Sequence, residues 1–380
     1  MARIRDIRLI PLAYQMPPIK AYGMARRLVS ARGATLVEVE TEDGVIGIGE
    51  AWGPASAAAG YLELIKGEFV GAELYDHGHV WSRITGGMYH LGLQNQMTAL
   101  ASGINIALYD AIGKIHGLPV CKLLGGKGKE RIPVYASGGY LTHAPDNQLA
   151  AQLERVAGQG FPGAKFKIGI GPRSDEERVR LARDILGEDC LLLVDVNGNY
   201  TVDLTLESMR RTAAYGVHYY EEPLPPQDVE GYKVLAQRAP LAIAAGEALY
   251  TVFDFDRLIS ARAVDVVQPD LTLCGGLDQA RAIAVLCQLH NVGLSPHVWG
   301  GPVGLAAALH FMAALPDYPH TDHVPYPRMV EYDVGDNPLR DHLLTHPLRP
   351  VGGHMTVPDG PGLGIELDPD AIRRFAVASR

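Results

Sequence analysis

The sequence predicts an α/β chain in which a parallel barrel of strand–helix units follows a separate α+β unit. Three observations predict it. From residue 131 onward, short apolar runs alternate repeatedly with amphipathic stretches. Three of those runs, LLLVDVN, HYYEEP and LAIAAGE, carry Asp195, Glu221 and Glu247 at a constant spacing of 26 residues. A strand, a helix and two loops occupy about that length. Before residue 131 the order is different, with alternating runs first and helical runs after them.

The chain has 380 residues, long for one ordinary domain and comfortable for two. With 47% hydrophobic and 20% charged residues it can bury a sizeable core. A net charge of −9 argues against general nucleic-acid binding, and an anionic substrate then needs a locally positive site. No apolar run approaches the roughly 18 residues of a membrane span. The start, MARIRDIRLIPL, lacks the pattern of a signal peptide. Cys121, Cys190, Cys274 and Cys287 show no C-x-x-C spacing. They are expected to be reduced, buried thiols of a cytoplasmic protein.

Residues 3–12 are expected to form a strand. YQMPPIKAYGMARR is rich in Pro, Gly and basic residues and is expected to be a loop. LVEVETEDGVIGIGEA holds two alternating runs around Glu42-Asp43-Gly44, a hairpin signal. Helical patterns cover 56–69 and 94–116. The second is apolar at Leu100, Ile104, Ala107, Leu108, Ala111 and Ile112 and stops at Gly117 and Pro119. CKLLGG is expected to be a linker. Barrel strands are expected at 132–136, 164–168, 191–195, 217–221, 241–245, 264–268 and 292–296, with an eighth near 319–331. Helical stretches at 146–159, 174–186, 203–215, 228–238, 253–261 and 277–290 lie between them. Seven such units close better as a barrel than as an open sheet. No G-x-G-x-x-G turn follows the first strand to favour the doubly wound alternative. The tail, 350–380, carries turn signals and a short strand, and is expected to pack back on the N-terminal unit.

In parallel barrels chemistry gathers at the C-terminal ends of the strands. One acid there is ordinarily a helix cap or a surface group. Asp195, Glu221 and Glu247 share one phase of the repeat, so they converge, and a hard divalent cation resolves their repulsion. Mg²⁺ fits because it takes few carboxylates and keeps positions for water or substrate oxygens. Mn²⁺ is the alternative, and Zn²⁺ lacks a Cys or His in the trio. Lys165 and Lys167 are two apart on one strand, so both enter the barrel. Each disfavours the other's charge, and a lysine depressed in that way serves as a general base. The plainer alternative is an ion pair with the carboxylates.

A lone His297 would more often be structural. Asp270, at the end of the adjacent strand, supplies a carboxylate to orient it. Glu331, following the eighth strand, is expected to balance a developing oxyanion; otherwise it is a surface acid. Lys167 and His297 would then face each other across a substrate. One takes the proton α to a carboxylate, and the other delivers a proton to the opposite face or to a departing oxygen.

The motifs AKFKIG, VDVNGNY, YYEEPLPP, AAGEAL, VQPDLTLCGG and SPHVWG together resemble the enolase superfamily, in its mandelate racemase subgroup, over essentially the whole chain. Sites of that superfamily use a Lys or His base with one or two Mg²⁺ ions. The resemblance implies a modified (β/α)7β TIM-like barrel at 126–335 and an α+β capping domain at 1–125. A C-terminal segment, 336–380, would return to the capping domain. It implies that Asp195, Glu221 and Glu247 bind Mg²⁺ and that Lys167 is the base on one face. Lys165 would hold the substrate carboxylate and lower the pKa of Lys167. His297 with Asp270 would act on the opposite face, and Glu331 would hydrogen-bond the enolate. Muconate-cycloisomerase-type members carry a lysine after the sixth strand, where Asp270 stands, so that branch is disfavoured.

SPHVWGGPVGLAAALHFMAA, MVEYDVGDNPLRD and TVPDGPGLGIELD are most similar to the galactarolactone cycloisomerase branch. The implied substrate is a small acid sugar or its lactone. Its contacts would come from Lys165, Asn197, Trp299 and the capping loops around Tyr22, Met24, Arg26 and Trp52. Lactone opening, acid-sugar dehydration and epimerisation of a 2-hydroxy acid all share these residues. The loss of a ligand or a base would support a non-catalytic sugar-acid binder, the remote alternative, and none is missing. Family members usually form homo-oligomers.

Overall fold

A computed structural model of the chain describes residues 2–316 and 328–377. The N-terminal unit is built on an antiparallel sheet of Ile4–Gln15, Ala31–Thr41 and Ile46–Ala51, with Ala31–Thr41 in the middle. The expected hairpin is present. Gly44 takes a φ of 80° and donates its N–H to Thr41 O at 3.0 Å. Helix Ala55–Phe69 follows, and then the long helix Gln96–His116. Asn95 caps the long helix by accepting from Met97 N, and Gly117 ends it in the left-handed region.

The long helix is buried almost all round because it serves two neighbours. One face lies on Ile46–Ala51, where Gly49 leaves the space: a Cβ there would come within 1.9 Å of Gly103 O. The other face meets barrel helix Gly276–His290, where Asn105 and Tyr109 donate to Asp278 at 2.8 and 2.7 Å.

Two expectations for this unit change. The segment read as a loop contains Tyr22–Met24 and Arg27–Val29, paired as a hairpin, with Leu141–Thr142 as its third strand. The third strand lies more than a hundred residues away, so local composition did not signal it. The first half of the linker CKLLGG lies in a short helix, Val120–Leu123.

Eight parallel strands form the barrel: Arg131–Gly138, Gly163–Lys167, Leu191–Asp195, Val217–Glu221, Ala242–Ala245, Val266–Val267, Gly293–Leu294 and Val330–Asp333. The first lies between the second and the eighth, and pairing runs on in sequence order to the seventh. Between the seventh and eighth, Ser295 Oγ donates to Met329 O at 2.7 Å. The sixth and seventh strands are only two residues long, shorter than expected. Of the eighth strand expected near 319–331, residues 319–327 lie outside the described residues. Glu331 stands within the last strand rather than beyond it, opposite Tyr135 of the first.

Tyr135, Leu193, Tyr219, Ala244 and Met329 fill the bore below the strand ends. Phe166, Val194 and Tyr220 point the other way, into the layer between strands and helices. The tail joins both units. His354–Thr356 pairs antiparallel with the first barrel strand, while Leu363 N donates to Asp110 Oδ1 at 2.7 Å and Val377 N to Pro11 O at 3.0 Å. Its short strand pairs with the barrel, and the residues after it pack back on the N-terminal unit. Cys121, Cys274 and Cys287 are buried and Cys190 is half-buried; all four are free thiols. Among the described residues, no helix is long and apolar enough to cross a membrane.

Candidate active site

Each acid of the trio is set by its own strand end. Asp195 and Glu221 are the last residues of the third and fourth strands and are fully buried. Glu247 follows the fifth strand by one turn residue, Gly246, which takes a φ of 137°. A side chain at Gly246 would come within 2.8 Å of Phe255 and 2.9 Å of Gln268 N, so only glycine brings the chain round there. One carboxylate oxygen from each acid lies within 4.8 Å of the other two.

That donor set is all hard oxygen, which fits a divalent cation. Glu247 Oε2 is also buried without a hydrogen-bond partner among the described residues, an orphan that a cation would satisfy. Asn197 sits at φ 50° and braces two of the acids. Its N–H donates to Asp195 Oδ1 at 2.8 Å and its Nδ2 to Glu247 Oε1 at 3.2 Å. Its Oδ1 has no hydrogen-bond partner among the described residues.

Both lysines point into the barrel, as alternation requires. Lys165 pairs with Glu221 and, at 2.9 Å, with Glu331; Lys167 pairs with Asp195. Without a cation on the trio, the neighbouring carboxylates oppose the expected depression of Lys167. Burial is the largest effect on Lys167 and lowers its pKa, and Lys165 repels it, but Asp195, Glu247 and Glu221 together bring the net shift upward. Lys165 is held well above the usual lysine value, its burial overcome by Glu221 and Glu331.

On the opposite side, His297 Nδ1 is 2.7 Å from Asp270 Oδ2. Asp270 is fixed in turn through its other oxygen, which accepts from Thr272 N at 2.7 Å and Thr272 Oγ1 at 2.6 Å. His297 Nε2 faces the trio, 3.4 Å from Glu247. Burial works to lower the pKa of His297, yet Glu247, Glu331 and Asp270 raise it to about 10. Glu331 accepts from Ser137 Oγ and from Val298 N at 3.0 Å. Burial would raise its pKa, but the Lys165 and His297 charges bring it to about 2.

The expected substrate contacts divide. Trp52 stands beside the dyad, its ring 5.8 Å from that of His297. Trp299 is one ring further out, 5.7 Å from Trp52, and donates its indole N–H to Tyr140 OH at 3.0 Å. Arg26 donates to Gly198 O, and Met24 is half-buried on its hairpin strand. Tyr22 packs on Trp299, their ring centroids 6.2 Å apart. Its ring lies 4.2 Å from the Arg32 guanidinium, and it lines a cavity of about 370 Å³ with Arg32, Tyr140 and Asp336. None of Asp195, Glu221, Glu247, Lys165, Lys167 or His297 lines that cavity.

Three neighbours went unassigned in the sequence reading. Gln268 is fully buried and donates to Glu221 Oε2 at 2.6 Å. Glu222, buried beside the trio, has its pKa pushed well up by burial and then by Glu247, Asp195 and Glu221. Arg178 donates to Lys167 O and to Gly139 O, both at 2.8 Å. Gln268 and Glu222 adjoin residues already singled out, so their place in the repeat could have found them. Arg178 lies on an amphipathic helix among other charges and carries no such signal.

Comparison with known proteins agrees with this geometry. Residues 148–371 match the family model described as enolase C-terminal domain-like. Residues 8–125 match the N-terminal domain of mandelate racemase / muconate lactonizing enzyme. The chain is 36% identical over 346 residues to D-galactarolactone cycloisomerase of Agrobacterium fabrum, covering 90% of this chain and 91% of that protein. It is 31% identical over 385 residues to arabinonate dehydratase of Saccharolobus solfataricus, covering 99% and 100%. The crystal structure of the 3,6-anhydro-D-galactonate cycloisomerase from Zobellia galactanivorans superposes with a TM-score of 0.88 at 30% identity, covering 99% of this chain and 100% of that one. An acid trio at three successive strand ends, flanked by a K-x-K strand and a His–Asp pair, thus meets matching models over both units: the chain belongs to the mandelate racemase / muconate lactonizing enzyme family of the enolase superfamily.

Proposed function

We propose that the chain removes the proton α to the carboxylate of a sugar acid or sugar-acid lactone and then eliminates the oxygen at the β-carbon. The observation that carries this is the acid trio lying between Lys167 on one side and the His297–Asp270 pair on the other. Asp195, Glu221 and Glu247 would hold Mg²⁺, with Mn²⁺ as the alternative. Bound there, the cation would offset negative charge developing on the substrate carboxylate. Lys165 would hold that carboxylate from the second strand, and Glu331, which must first take up a proton, would donate a hydrogen bond to the enolate. Of Lys167 and His297, one takes the α-proton and the other protonates the departing oxygen or the opposite face of the enolate. Asp270 keeps Nε2 of His297 turned toward the substrate.

Similarity to D-galactarolactone cycloisomerase supports lactone opening, in which the ring C–O bond breaks and its oxygen leaves as a carboxylate. Similarity to arabinonate dehydratase supports a second reading, dehydration, in which hydroxide leaves instead. Both begin with the same C–H cleavage. The capping unit is assigned to 1–125, the barrel to 126–335 and the returning segment to 336–380. Trp52 and Trp299 are the aromatic contacts assigned to the substrate. We also propose a cytoplasmic homo-oligomer.

The test is a library of acid sugars and their lactones, incubated with the protein and Mg²⁺ in deuterated water and followed by proton NMR. Loss of an α-hydrogen signal from at least one member, abolished by EDTA and restored by Mg²⁺, is expected. No exchange and no product across the library would overturn the reading. Sedimentation gives the oligomeric state.

A further inference from the structure

We infer that Glu50, on the N-terminal unit, is a positioning residue for His297; its kinetic consequence rests on the proposed function. Glu50 is at the end of strand Ile46–Ala51 and only 2% exposed. Its carboxylate crosses to the barrel. Oε1 accepts from Gly301 N and Oε2 accepts from Gly304 N at 2.9 Å. Those N–H groups open helix Pro302–Ala314, whose own N-cap residue, Gly301, has no side chain to cap with. A carboxylate about 250 residues away in sequence therefore supplies the cap and sits at the positive end of the helix.

The contact is shaped from both sides. A Cβ at Gly300 would come within 2.6 Å of the Glu50 carboxylate, and one at Gly301 within 2.9 Å. The chain from His297 to Gly301 is thus held at two points: Val298 N on Glu331 at 3.0 Å, and Gly301 N on Glu50. Two residues beyond Glu50, Trp52 N donates to Thr272 O at 3.0 Å. Thr272 is the residue whose N–H and hydroxyl fix Asp270. One strand end of the N-terminal unit therefore grips the loops carrying both members of the His297–Asp270 pair.

The test uses the full Mg²⁺-loaded chain with ¹⁵N-labelled histidine, the His297 ring signals being assigned by their loss in His297→Gln. Glu50→Ala is expected to move those signals while the circular dichroism spectrum is kept and Mg²⁺ affinity stays within about threefold. Glu50→Gln, which keeps one acceptor, is expected to move them less and serves alone if Glu50→Ala does not fold. On a substrate from the exchange screen, Glu50→Ala should lower kcat by roughly tenfold to 10²-fold, with KM changed less than about threefold. His297 signals and kcat that match the wild type in a folded variant would reduce Glu50 to a helix cap and overturn the inference. The ring signals need no substrate, so an empty screen counts against the proposed function and leaves this arm to decide the role of Glu50.

Discussion

The two flanks of the acid trio are built differently. Lys167 belongs to a five-residue strand, paired on both sides, and its carbonyl is tied down by Arg178 of the following helix. His297 and Asp270 lie beyond strands of two residues each, joined to each other by a single bridge. Ladder hydrogen bonds fix the lysine. Loop contacts fix the histidine, and several come from the other unit of the chain. A base on a long strand needs only its own barrel, whereas one on a loop needs support from outside it.

The largest expected effect separates the roles of the flanks. Lys167→Ala and His297→Asn should each lower turnover by roughly 10²–10⁴-fold. Whichever base takes the α-proton, its variant should also lose deuterium exchange, while the other variant keeps exchange and loses product. Exchange retained in both variants would mean neither group is that base. Next in size is Asp270→Asn. It leaves the ring in place but removes the carboxylate that orients it, and kcat should fall on the order of 10²-fold. An unchanged pH–rate profile would argue that Thr272 and the loop suffice.

Arg178→Met tests the lysine flank. It strips donors from Lys167 O and Gly139 O and should cost about 2 kcal/mol in urea unfolding, with a smaller loss of kcat. Its effect on the His297 ring signals should be nil. A shift there would show that the flanks are coupled.

The effect on turnover should be smallest at helix Pro302–Ala314 on the histidine flank, where the change expected is one of stability. His310 accepts from Cys121 N at Nδ1, at 3.3 Å, and its Nε2 lies 3.0 Å from Leu363 O, so the neutral ring is the one that fits. Burial is the main cause of a pKa lowered to about 4. The unfolded chain takes up that proton near 6.5, before the folded chain does, so unfolding binds protons between the two values. Stability from this group is therefore complete above about 6.5 and is lost as pH falls toward about 4, by on the order of 3 kcal/mol. His310→Gln should flatten that part of the pH–stability curve; an unchanged slope would assign it to other groups.

Much of the lysine flank could be read from the sequence. The K-x-K spacing and the constant step between the acids are local facts, and strand alternation turns them into geometry. The His297–Asp270 pair was legible because each follows one apolar run. The grip on that pair was not. Glu50 and Gly301 are some 250 residues apart, and nothing in IGIGEA marks its glutamate as a cap for a distant helix. What opposes a depression of Lys167 was also not legible, because the sequence places two cations side by side but does not say how close Asp195 comes. Tyr22 illustrates a third limit. It is on the expected segment, but a buried arginine draws its ring into a different pocket.

The equal steps between Asp195, Glu221 and Glu247 have a consequence for how such a chain can change. Each ligand is delivered at the inner end of its own strand, and the helix that returns the chain lies on the outside. A residue gained or lost at the outer, helix-to-strand turn lengthens one module without touching the neighbouring ones. The centre is insulated in this way from length changes around the rim, provided that each strand keeps its register. Between Gly246 and Glu247 that tolerance ends: one extra residue there would turn the acid out of the group.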